Sequence, residues 1–65
     1  MEVQISYFSK ARKDGNEMTL EQRICEVVKA ANGKEITLTD DGGSVIAVCS
    51  NEEELRSILE GRGLL

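Results

Sequence analysis

The stretch from Glu35 to Ser50 constrains this chain more than any other, because it reads as a β-hairpin whose two arms carry different hydrophobic patterns. The first arm, Glu35-Ile36-Thr37-Leu38-Thr39, alternates as a strand with one buried face does. The second, Val45-Ile46-Ala47-Val48-Cys49, is an unbroken apolar run, the pattern of a strand covered on both faces. Between them, Asp41-Gly42 suits the positive φ angles of a two-residue type I′ turn. That turn sets a register in which Leu38 faces Val45 and Ile36 faces Ala47. These four side chains and Cys49 then share one face, while Ile46 and Val48 share the other with Glu35, Thr37, Thr39 and Ser44.

The flanking segments supply a strand and two helices. Val3-Gln4-Ile5-Ser6-Tyr7-Phe8 alternates with period two, which predicts a strand with Val3, Ile5 and Tyr7 on one face and Phe8 on the other. Ser9 to Met18 has no period and contains the turn-forming Asp14-Gly15-Asn16, so it reads as a loop. Thr19-Leu20-Glu21-Gln22 has the form of a capping box, and Leu20, Ile24, Val27, Val28 and Ala31 follow on one helical stripe that Asn32-Gly33 ends. Two overlapping capping boxes, Ser50 to Glu53 and Asn51 to Glu54, open a second helix with Leu55, Ile58 and Leu59 as its apolar stripe. Gly61 reads as its stop, followed by a short apolar tail to Leu65.

The resulting order is β-α-β-β-α in a single α+β domain spanning residues 1–65. The apolar run makes the third strand central, so the expected sheet order is 1-3-2, a split β-α-β with both helices on one face. This is a ferredoxin-like topology truncated before its last strand. So many unrelated proteins share that layout that it licenses no function.

A chain of 65 residues buries only about 60% of its surface on folding. Its only rings are Tyr7 and Phe8, so the expected core of Val, Ile, Leu and Ala is thin and a partner or second copy is a natural supplement. The net charge of −4, from twelve acidic and eight basic residues, argues against a general nucleic-acid binder, which carries a basic excess. No stretch reads as a secretory leader or a membrane span. Two cysteines are too few for a disulfide scaffold, and a reducing, cytoplasmic setting is the expectation.

Chemistry is sparse in this chain. With no histidine the commonest general base and metal ligand is missing, and two thiolates alone do not complete a zinc site within a monomer. Cys49 reads as a core residue and Cys25 as a partly exposed one on the helix flank. Glu52-Glu53-Glu54 splay by 100° steps and suit a helix start; Asp40-Asp41 suit a turn. The expectation is therefore a protein that is not an enzyme and needs no metal or cofactor.

Two surfaces stand out. Lys10, Arg12 and Lys13 form the one local basic excess, ahead of a helix N-terminus, and are the candidates for an anion or nucleic-acid contact. Phe8, Ile46 and Val48 lie on the sheet face opposite the predicted helices, rimmed by short polar side chains, and are the candidates for a protein interface. The leading expectation is a small interaction module, a homodimer or an inhibitor or adaptor of a larger protein. The anion or nucleic-acid module is the alternative.

Overall fold

The computed structural model describes residues 1–13 and 19–65, with side chains described for residues 1–9 and 19–65. The elements are β1 (Glu2–Gln4), α1 (Ser6–Lys13), α2 (Leu20–Ala31), β2 (Ile36–Thr39), β3 (Val45–Cys49) and α3 (Glu52–Gly61). They form an α+β fold with one three-stranded mixed sheet and three helices.

The sheet order is β1-β2-β3, with β1 parallel to β2 and β2 antiparallel to β3. This corrects the expected order 1-3-2. Consecutive strands lie side by side by default, and the parallel pairing is tied at both ends: Thr37 N donates to the Met1 carbonyl at 2.7 Å and Ile5 N to the Thr39 carbonyl at 2.8 Å. The central position therefore belongs to the alternating strand Ile36–Thr39. The apolar run is an edge strand in which Val45 and Val48 are 59% and 49% exposed. Its composition reflects the strand preference of β-branched residues, not cover on both faces.

The hairpin register also differs from the expected one, and for a definable reason. Asp40 N donates to Ser44 O, Gly43 N donates to Asp40 O, and Gly43 alone in the turn has positive φ, at 87°. This is a three-residue loop closed by a left-handed glycine, not a type I′ turn. The Asp40 Oδ1 accepts from Gly42 N and Ser44 N, each at 2.9 Å, and holds the loop shut. The longer loop slips the register by one residue, and an irregularity between Leu38 and Thr39 slips it by another. Ile36 consequently faces Cys49 and Leu38 faces Ala47. Two slips restore the original parity, so Ala47 and Cys49 keep the expected face. Val45, paired with Thr39 before the second slip, moves to the opposite one.

Helix α2 begins where the capping box places it: Gln22 N donates to Thr19 Oγ1 at 3.2 Å, and Thr19 N donates to Gln22 Oε1 at 2.8 Å. It ends at Asn32, which takes the left-handed conformation at φ 50°. At α3 the cap is Asn51, whose Oδ1 accepts from Glu54 N at 2.9 Å, while the Glu54 carboxylate accepts from Ser50 N at 2.7 Å. Gly61 is the last helical residue; the chain leaves the helix through Gly63, at φ 77°. Leu64 N then donates to Leu59 O and Gly63 N to Glu60 O, a Schellman ending that turns Leu64 back against the core.

The largest departure from expectation is α1. The alternation from Val3 to Phe8 does not continue as a strand; β1 stops at Gln4, and the Ile5 carbonyl accepts from Phe8 N and Ser9 N as a helix starts. The segment from Ser9, read as a loop, is helical to Lys13, and residues 14–18 lie outside the described residues. Ile5 and Phe8 are three apart, which is helical spacing, and the chain takes the choice that buries the larger ring. Phe8 joins Ile24, Val27 and Ala31 of α2, Leu55 and Leu59 of α3, and Ile36, Leu38 and Cys49 of the sheet in one core. The Arg56 guanidinium ties α3 to α2 by pairing with Glu21, and it also pairs with Glu52 one turn earlier.

Candidate functional site

A parallel ladder sends the N–H and C=O of alternate residues to the same neighbour. Since Met1 O and Ile5 N bond to β2, the residues turned the other way are Glu2 and Gln4. Their backbone groups make up the outer edge of β1, which has no strand beside it among the described residues. The side chains alternate as well: Val3 lies on the core face with its register partner Leu38, while exposed Glu2 and Gln4 share the opposite face with half-buried Thr37 and with Thr39, which is itself buried.

Alongside this edge runs a groove of about 500 Å³ between β1 and α2. Val3, Tyr7, Val27 and Ala30 form its apolar lining, and Glu2, Gln4 and Glu26 its polar rim. Its floor is positioned by the elements already described. The α2 stripe turns Val27 inward, and α1 brings Tyr7 across the end of β1. A clasp between the two helices holds Tyr7 there: Arg23 Nη1 donates to the Tyr7 carbonyl at 2.7 Å, and the guanidinium carbon lies 4.7 Å from the centre of the Tyr7 ring. Arg23 is only 8% exposed, and its Nε has no hydrogen-bond partner among the described residues. The sequence signal for this buried arginine was its place between Leu20 and Ile24, inside the apolar stripe.

The candidates read from sequence fall in different places. Phe8, expected on the open sheet face, is fully buried in the core; the helical turn at Ile5 carries it there, so it is not part of that face. Val48 is exposed on the open face, as expected, but its neighbour there is Val45. Ile46 is half-buried and packs against the core. The three residues named for an interface are therefore not brought together. Lys10, Arg12 and Lys13 lie on α1, not on a loop, and their side chains are outside the described residues.

Cys25 is exposed and Cys49 is buried. The Cys49 Sγ sits 3.7 Å from the Ile36 carbonyl, and burial, with a smaller contribution from the Glu54 charge, pushes its pKa above the usual thiol value. The acidic residues near α3 have structural partners: Glu52 binds Arg56 and Glu54 caps the backbone. The Arg56 guanidinium draws the Glu21 carboxyl below the usual carboxylate range. Among the described residues no three His, Cys, Asp or Glu side chains gather at a point that could hold a metal ion. No described helix is long and apolar enough to cross a membrane.

Comparison with known proteins gives no match to any family model, to any curated protein or to any solved structure.

Proposed function

We propose that this chain is a non-catalytic protein-interaction module that binds an extended segment by strand addition at β1. The observation that carries this reading is the combination of a strand edge with no neighbour among the described residues and an apolar groove running beside it. An added strand takes its hydrogen bonds from the edge and its specificity from pockets that receive alternate side chains. Of the features with which sheets commonly block such pairing, Glu2–Gln4 has no proline and no lysine, though it is short, at three residues, and carries the charge of Glu2. An inhibitor or adaptor working through a strand of its target is the biological role that fits this surface.

The test is a selection of extended peptides on the immobilised chain, followed by amide chemical-shift mapping of the selected binders. Binding should move the Glu2, Gln4, Val27 and Ala30 amides. A Gln4→Pro variant should abolish it, because proline removes an outward donor and leaves the bonds to β2 in place. Shifts confined to other surfaces, or binding unaffected by Gln4→Pro, would rule the reading out.

A further inference from the structure

Given strand addition at β1, we infer that the occupant is a basic extended peptide, a segment in which Lys or Arg alternates with apolar residues. This rests on the reading above and adds its chemistry. Among the described residues, the charged side chains lining the groove are Glu2 and Glu26, one on the strand and one on the helix. Met1 also lines it; its ammonium donates to the Glu35 carbonyl at 3.0 Å and keeps its positive charge, so the two carboxylates outweigh it by one charge. Every second residue of an added strand, about 7 Å apart, points into the groove against Val3, Val27 and Ala30. The residues between them lie over the open face beside Glu2. An apolar residue in the first position and a cation in the second satisfy both walls, and the Glu26 carboxylate adds a negative field from the helical rim.

A second copy of the chain fits less well. Two β1 edges brought together would set a Glu2 and a Glu26 from each copy around one seam, between molecules that each carry a charge of −4. Like charges so placed oppose pairing.

Two eight-residue probes separate the possibilities: one of alternating Val and Lys, the other of alternating Val and Glu, each titrated into the labelled chain at low salt. The Val-Lys probe should bind roughly 3- to 30-fold more tightly, as two partly exposed ion pairs allow. Added salt should shrink that difference. Glu2→Gln should lower the preference more than Glu26→Gln, since Glu2 faces the cation directly. Equal binding of both probes at β1 would overturn the charge inference while leaving strand addition intact. Binding of neither would overturn both. A dimer of the chain alone that dissociates in Gln4→Pro and competes with the Val-Lys probe would replace the basic peptide by a second copy as the occupant.

Discussion

Replacing Phe8 by Ala distinguishes a docked α1 helix from a longer first strand. The Phe8 ring is fully buried and meets Tyr7 edge-on, with centroids 5.5 Å apart and planes at 75°. Truncating a buried Phe to Ala costs about 3–5 kcal/mol, through lost transfer energy and the cavity left behind. On an exposed sheet face the same change stays within about 0.5 kcal/mol. A domain of this length holds roughly 3–10 kcal/mol in total, so Phe8→Ala should remove at least about a third of the stability and leave a marginal fold. Phe8→Leu, which keeps most of the volume, should cost roughly 1.5 kcal/mol. Urea unfolding followed by circular dichroism reads both. With a slope near 1 kcal/mol/M, a 3 kcal/mol loss moves the midpoint by about 3 M. If Phe8→Ala unfolds within about 0.5 kcal/mol of the parent, the ring is not in the core and β1 continues past Gln4.

Three further outcomes follow from the same structure. Gly43→Ala should cost about 1–2 kcal/mol, because alanine at φ 87° is strained, while Gly42→Ala should be nearly neutral, and a reversal in denaturation would restore the two-residue turn. A thiol-reactive dye should label one cysteine per chain quickly, Cys25, and reach Cys49 only on unfolding. Because the Cys49 pKa is raised in the fold, its contribution to stability is whole below the unfolded thiol value of about 8.5 and is lost as the pH climbs through the raised native value, a fall that Cys49→Ala should lack. Val48→Lys should change stability by no more than about 0.5 kcal/mol, whereas Ile46→Glu, placing a charge against the core, should cost about 2 kcal/mol or more; similar effects in a melting comparison would mean that the two side chains are equally open.

The parts of the fold that were legible in the sequence are those written in local chemistry. Thr19 and Gln22 bond to each other's backbone, Asn51 and Glu54 start α3, and the stripe Ile24, Val27 and Ala31 is buried as its spacing requires. The α1 helix was hidden because six alternating residues satisfy a strand pattern while Ile5 and Phe8 alone show the helical one, and only the core reveals which ring must be buried. The strand order was hidden because an apolar run reports strand preference as readily as burial. The groove depends on β1 ending at Gln4 and on Arg23 holding Tyr7 in place. The stripe position of Arg23 hinted at its burial, but where β1 stops and what Arg23 meets are tertiary facts without a local signature. The chance to read Ile46 and Val48 as one patch was lost to the irregularity beside Leu38, which no turn rule foretells.

The sheet ends in two unlike edges, β1 lying parallel to its neighbour and β3 antiparallel. Copies that met like edge to like edge would close into a two-fold pair and stop. Copies that met β1 to β3 would leave one of each edge free after every addition and grow without limit, as head-to-tail contacts do. The chain resists that growth by geometry: β1 offers only Glu2 and Gln4 outward, and β3 is offset against β2 where Leu38 gives way to Thr39. A variant that lengthened β1 through Ser6, or removed the offset in β3, should be more prone to such growth, and its first sign would be light scattering that rises with concentration and never reaches a plateau.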